Sequence, residues 1–467
     1  MASLICFQQH LCLIQPGTQL LDSKALTRVQ SAVLIAIIVV AAVAGSVAYV
    51  VSSGTGQSKE TIKIGVCADI DNTVGKPVLR GATLAVEQIN AAGGVLGRNL
   101  TIVAEDDDSE SGGDIAVGTN AMTRLITVDH ADFIITPQST NALLYQDIAA
   151  DHKIILFQTY GASSDNLTQR VADNYEKYKY YFRIWPSNSS QTAVGFTNAL
   201  INIRDMTGFN KIAYIDTDVA SVRALSNPLE TALPESNFTI VYRGFVTPTT
   251  TDFTSYFDAI EASGAEIVIP LIFTAGPANS FVKEWCERQS PFILWGPILG
   301  GSSYTFWNST GGKCEYLSCN GLAAVVGYPL TNKTIQTKES FIERWGVNPT
   351  DGAVAAYDVV RFILPDAIER AKTTETNALV KTLETSQVET SMARHWAFSS
   401  DHDPLVTYAN PLSYSNPNID HMLVMTFQWQ AGGTQVPVGP KSIRIESGAT
   451  YKFPPWKGPW GNRTEAP

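Results

Sequence analysis

Two rhythms of hydrophobic and polar positions alternate along the chain. Residues 61–67 (TIKIGVC) form an apolar, β-rich run, and a polar loop follows over 69–76. Ala82, Ala85, Val86 and Ile89 then recur at helical spacing until Gly93 and Gly94 close the helix. The same order of strand, loop and helix repeats. Apolar runs at 100–105, 132–136, 154–157 and 180–185 predict strands, with helices predicted over 115–127 and 142–150. A second series begins after Pro186, with helices over 192–205, 219–233, 253–263 and 277–289 and strands over 211–215, 239–244 and 266–271. Such alternation implies parallel pairing with right-handed crossovers. The fold class is α/β: two doubly wound, Rossmann-like lobes in tandem, with a ligand cleft between them. Further on, a helix is expected over 351–371 with Ala356, Val360, Ile363 and Ala367 on one face and a kink or break at Pro365. Strands are expected at 394–398 and 422–429, and a turn at 401–404. Residues 452–467, rich in Pro, Gly and Trp, read as a wrapping tail.

Ahead of this pattern, residues 31–51 (SAVLIAIIVVAAVAGSVAYVV) carry no charge and match the roughly 20 apolar residues that span a bilayer as a helix. The run is longer than a signal-peptide core, which favours an uncleaved anchor, although Ala44, Gly45 and Ser46 would suit a signal peptidase. Lys24 and Arg28 place the N-terminus inside the cell and everything after the run outside. Residues 1–30 read as a cytoplasmic segment without a folded domain, and the Gly/Ser-rich 52–60 as a linker.

Composition adds exclusions. The formal net charge of -11 argues against nucleic acid as a partner, since phosphate binding needs a cationic face. The frames of phosphate-loop, nucleophile-elbow and zinc-protease chemistry are missing, so no enzymatic activity, cofactor or metal site is expected. His402, between Asp401 and Asp403, is read as part of a polar turn rather than as a metal ligand. Export should show in the chemistry. Glycosylation sequons occur at Asn99, Asn166, Asn188, Asn237, Asn308, Asn332 and Asn462, all after the apolar run. Cys314 and Cys319 flank a short loop in the exported part and are expected to form a disulfide.

Candidate binding residues sit in the loops beyond the strands. The first loop, 69–76, is one. Pro137, Gln138, Ser139 and Thr140 open a predicted helix with two hydroxyls beside unpaired N–H groups, an arrangement suited to a carboxylate. The neighbouring loop, 158–161, supplies Tyr160, which with Trp185 would wall a pocket.

The run from Ile64 through IGVCADIDNTVGKPVLRGATLAVEQINAAGGVLGRNLTIVAEDDDSE resembles the opening signature of the leucine/isoleucine/valine-binding protein family, the type I periplasmic solute-binding proteins of ABC transporters. FRIWPSNSSQ, TTDFTSYFDAIEASGAEIVI, GAVAAYDVV and FQWQAGG follow in the family's order, so the resemblance covers residues 61–440. It implies lobe 1 from 61–183 and 326–394 and lobe 2 from 184–325 and 395–450, with 451–467 as a tail. It also implies that Ser139 and Thr140, with backbone at Thr159, Tyr160 and Gly161, meet a ligand carboxylate. Asp69 and Asn72 would approach from the first loop, and Asp216, Phe273 and the loop after Trp295 from lobe 2. Amino-acid binders of the family usually carry an acid in that last loop, here Trp295, Gly296, Pro297, Ile298 and Leu299, which offers none. Asp216 or Asp218 would have to substitute, or the ligand would be an amide, a urea-like solute, a short peptide or a carboxylate without an amine. The implied function is capture of an amino acid or related small polar solute by lobe closure and its delivery to an ABC permease in the membrane. A ligand-sensing ectodomain of the same fold is the alternative.

Overall fold

The computed structural model describes residues 60–109, 114–137, 141–161, 164–406 and 421–466. Ser139, Thr140 and the apolar run 31–51 lie outside these residues. Among the described residues no helix is long and apolar enough to cross a membrane.

Two parallel sheets carry the architecture. The first contains β1 (Ile62–Ala68), β2 (Leu100–Asp106), β3 (Phe133–Thr136), β4 (Ile155–Gln158) and β5 (Tyr181–Arg183) in the order β2-β1-β3-β4-β5. All pairs are parallel, with Ile64 beside Ile102 and Phe133. β3 and β4 are buried at every position, as strands covered on both faces by crossover helices must be. Their near-continuous apolar runs follow from that. The second sheet contains β6 (Lys211–Thr217), β7 (Thr239–Val246), β8 (Ile267–Leu271) and β9 (Ile293–Leu294) in the order β7-β6-β8-β9, again all parallel.

A third, antiparallel sheet was not anticipated: β10 (Ser318–Leu322), β11 (Val424–Gln430) and β12 (Thr434–Gly439). It touches the second sheet through a bridge between Trp295 and Ser318. The expected disulfide is absent, because Cys319 is fixed in β10 opposite Phe427 while Cys314 closes a turn by accepting from the Leu317 amide. Both are buried free thiols. Burial pushes the Cys314 thiol up to about 12 and that of Cys319 well above its ordinary value, which keeps both unreactive.

Several expected elements are broken by identifiable causes. The helix expected over 219–233 is two, Ala220–Ser226 and Leu229–Glu235, separated at Asn227 and Pro228. The expected 351–371 helix runs as Asp351–Asp358, widens to a π turn at Val359–Ile363, and resumes as Leu364–Ala371 with Pro365 in its first turn. Pro365 has no N–H to donate backwards, and the widened turn accommodates that loss. In place of a strand over 394–398 there are two isolated bridges, Val388 with Trp396 and Phe398 with Pro404. The tail closes on itself as β13 (Tyr451–Lys452) against β14 (Glu465–Ala466), burying Phe453 and Trp460.

His402 adopts a left-handed φ of 63° and is fully buried. Its Nδ1 lies 2.9 Å from the Tyr181 carbonyl and its Nε2 3.0 Å from Glu384, and its ring stacks on Phe182 at 4.1 Å. Its neighbour Asp403 forms a fully buried ion pair with Arg183 at 2.6 Å.

Candidate functional site

Loops beyond the strands of both parallel sheets border a cleft of about 260 Å³. Thr73 and Val74 follow β1, Tyr160 follows β4, and Ala275 and Asn279 belong to the helix Ala275–Arg288 after β8. Leu299, Gly300, Ser302 and Ser303 follow β9, and Thr350, Asp351 and Gly352 start the helix Asp351–Asp358.

Each contributor is held by its local sequence. The buried Asp69 carboxylate accepts from Asn72 Nδ2 at 2.6 Å, and its carbonyl accepts from the Asn72 amide. Gly75 lets the loop fold tightly, since a Cβ there would meet the Asp69 carbonyl at 2.1 Å. Asp69 and Asn72 therefore shape the first loop, and the next residues, Thr73 and Val74, reach the cleft. Thr159 is buried and donates its amide to the Thr136 carbonyl at 2.9 Å, extending the β3–β4 ladder just far enough to present Tyr160. Gly161 then turns the chain away at φ 65°.

The loop after β9 is fastened from behind. Trp429 Nε1 donates to the Gly301 carbonyl and Gln435 Nε2 to the Ser302 carbonyl, both at 2.8 Å. A Cβ at Gly301 would meet Ile298 at 2.7 Å and Cys319 Sγ at 2.8 Å, so glycine lets the loop pack this closely. Opposite it, the Thr350 hydroxyl caps the helix Asp351–Asp358 by accepting from the Ala353 amide. Asp351 is 5% exposed. Its Oδ1 accepts from the Leu322 amide at 2.9 Å and its Oδ2 from the Ser302 hydroxyl at 2.7 Å. Burial raises its pKa, and those two hydrogen bonds pull the other way.

Of the residues expected at the site, Tyr160 lines this cleft. Trp185, Asp216 and Phe273 are not among its lining residues. Trp185 is half-buried against the main core, and the Phe273 amide donates to the Thr217 hydroxyl. Asp216 is buried and engaged by the Arg243 guanidinium at 2.8 and 3.2 Å. Arg243 lies one strand over, on β7, opposite Tyr214. Asp351, Ser302, Ser303 and Thr350 were not named as individual ligand residues. The signals available were Thr350 as a helix cap and the loop after Trp295. Among the described lining residues none is Lys or Arg, so hydroxyls, backbone, the Asn279 carboxamide and one carboxylate make up the polar lining.

Gly352 sets the width at Tyr160: a Cβ there would lie 3.1 Å from Val78 and 3.2 Å from the Tyr160 Cβ. Gly352→Ala is expected to cost about 1–3 kcal/mol by overpacking. Urea unfolding of the ligand-free protein reads this, and a loss under about 0.5 kcal/mol would show that Tyr160 moves aside freely.

Two parallel α/β sheets whose strand-end loops converge on one cleft define a two-lobed solute-binding architecture. The periplasmic binding protein family model matches residues 61–409, and the chain belongs to that family. A Leu/Ile/Val-binding protein homolog of Brucella melitensis is 25% identical over 397 residues, covering 83% of this chain and 96% of its own. A second such homolog, from Brucella abortus, is 22% identical over 77% of this chain and 86% of its own. Among solved structures, an ABC transporter substrate-binding protein from Desulfitobacterium hafniense in complex with Leu superposes with a TM-score of 0.63 at 20% identity, over 81% of this chain and all of that one. An R. palustris ABC transporter solute-binding protein in complex with benzoate gives 0.64 at 19% identity, over 81% and 96%. At these identities the structural likenesses speak for the fold alone.

Proposed function

We propose that this protein is an extracytoplasmic solute-binding protein that captures an amino acid or related small polar solute and delivers it to an ABC permease. The observation that carries this reading is the cleft itself: small, hydroxyl-lined, bordered by loops of both sheets, and holding one buried carboxylate. Family membership and the Leu/Ile/Val-binding relatives support the solute class. Closure of lobe 1 (61–183 and 326–394) on lobe 2 (184–325 and 395–450) would be the signal the permease reads. Consistent with that division, the helix Asp351–Asp358 packs on Gly75–Ala91 so closely that a Cβ at Gly81 would lie 2.1 Å from the Ala353 carbonyl. Tyr160 would wall the ligand, and Ser139 and Thr140 would meet its carboxylate.

The apolar run 31–51 would tether the binding domain outside the cell. Asn99, Asn166, Asn237, Asn308, Asn332 and Asn462 are exposed, as glycan acceptors must be, whereas Asn188 is half-buried and caps the helix Ser189–Thr207 through its Oδ1.

Thermal melting of the full-length protein in detergent tests the reading. A ligand of the folded state present at a hundredfold over its dissociation constant adds about 2.7 kcal/mol of stability. Amino acids, amides, urea, short peptides and organic acids form the panel. A shift with amino acids supports the reading, and no shift with any member of the panel rejects it.

A further inference from the structure

We propose that Asp351 selects solutes that carry a protonated amine, so that the cleft accepts amino acids and rejects their amine-free counterparts. This rests on the solute-binding reading above and adds to it the residue and the charge that set specificity.

The case is one of uncompensated charge. Asp403 and Asp216 are buried carboxylates too, but each has a guanidinium, from Arg183 and Arg243. Among the described residues Asp351 has only neutral donors, the Leu322 amide and the Ser302 hydroxyl. Asp107 and Asp358 likewise accept from neutral groups, yet neither lines the cleft. Each carboxylate oxygen has two acceptor positions, and these two bonds use one on each. An ammonium group entering the cleft would find free lone pairs on a negative charge in a medium of low polarity, where charge-assisted hydrogen bonds are strongest. No lining Lys or Arg among the described residues competes for them. For the same reason a solute whose only charge is negative meets an unscreened like charge, with no cationic side chain among those residues to offset it. A zwitterion brings a cation to Asp351, and the hydroxyls of Thr73, Ser303 and Thr305 share the cleft. The acid is also well placed to discriminate, because Ser302 is fixed through its carbonyl by Gln435 and cannot drift to follow a mismatched solute.

The test is calorimetric titration of the full-length protein with matched pairs: leucine, alanine, phenylalanine and glutamine, each against the 2-hydroxy acid of the same skeleton. The expected result is that an amino acid binds roughly 10- to 150-fold more tightly than its hydroxy acid, the range of a charged hydrogen bond. Asp351→Asn should weaken the amino acid by that factor while its hydroxy acid binds no more weakly than before, since the like charge it meets is gone. Ser302→Ala keeps the charge and should keep the discrimination, which separates selection by Asp351 from general damage to the loop. Melting curves establish that each variant folds, and if Asp351→Asn does not, the wild-type pairs still decide. Equal affinity for both members of a pair overturns the proposal, as does discrimination that survives Asp351→Asn. Binding of amides or urea with no response to any amino acid would also overturn it, while leaving solute binding itself intact.

Discussion

Asp403→Ala is expected to destabilise the folded chain by about 3–5 kcal/mol, the cost of leaving the partner of a buried ion pair without its counter-charge. Arg183 and Asp403 are both fully buried, 2.6 Å apart. Arg183 Nη2 would keep its bond to the Ser164 carbonyl at 2.6 Å, but Nη1 would lose its acceptor and Nε has none already among the described residues. The Asn188 amide at the start of the helix Ser189–Thr207 would lose its acceptor too, since it donates to Asp403 Oδ2 at 2.9 Å. Urea unfolding at neutral pH measures the loss. A double replacement, Arg183→Met with Asp403→Leu, should cost less than the single change, because no charge is then stranded. A loss below about 1 kcal/mol for Asp403→Ala would show that water reaches Arg183.

That pair also has a mechanical consequence. Arg183 ends β5 of the first sheet, and Asn188 precedes the helix that leads to the second. One carboxylate, carried on the turn that follows Phe398, thus grips the chain on both sides of the passage between the two α/β series. His402 anchors the same turn from the other side, facing the Tyr181 carbonyl and Glu384. The pair thus ties the end of β5 to the start of the helix Ser189–Thr207.

The parts of this architecture legible in the sequence are those built from local rhythm. β1, β3, β4, β5, β6 and β8 follow their apolar runs because parallel strands covered on both faces need nothing else, and the half-exposed edge strands β2 and β7 are legible from shorter ones. The antiparallel sheet was not legible for the opposite reason. β10 reads SCNGL, with little β preference, and is a strand only because β11 pairs with it from about a hundred residues away, Thr426 Oγ1 reaching Asn320 across 106 positions. β12 contains Pro437, which argues against a strand unless it lies at an edge, as it does here. The site divides in the same way. Tyr160 could be named from its place at a strand end. Asp351 could not, because its meaning comes from Ser302 and Leu322, 49 and 29 positions distant, while locally it is only an acid in a first helical turn. Asp216 shows the converse case. Its strand-end position was visible, but Arg243, 27 residues on, was not recognisable as its partner.

A second large effect is expected in the pH dependence of stability, through Asp358 at the end of the helix Asp351–Asp358. Its carboxylate is fully buried and accepts from the Ser391 hydroxyl at 2.7 Å and the Met392 amide at 3.1 Å, with no cation in contact among the described residues. Burial raises its pKa from 3.8 to about 7, against the pull of those hydrogen bonds. The folded chain therefore holds this proton more tightly than the unfolded chain does. Its contribution is fully present below about pH 4 and is lost as pH rises to about 7, because over that window the unfolded state releases the proton first. The difference between the two values corresponds to about 4 kcal/mol. Asp107, Asp216, Asp351 and Asp403 are also raised by burial and act in the same direction, whereas Glu87 is held low by Arg344 and acts in the opposite one. Asp358→Asn isolates the single residue. It cannot ionise, so the wild type's advantage over it should shrink by about 4 kcal/mol between pH 4 and pH 8 in paired urea unfolding curves. A constant difference between the two proteins across that range would mean that Asp358 keeps the same charge in both states, and the contact between this helix and residues 390–392 would then have to be held by an ionised carboxylate.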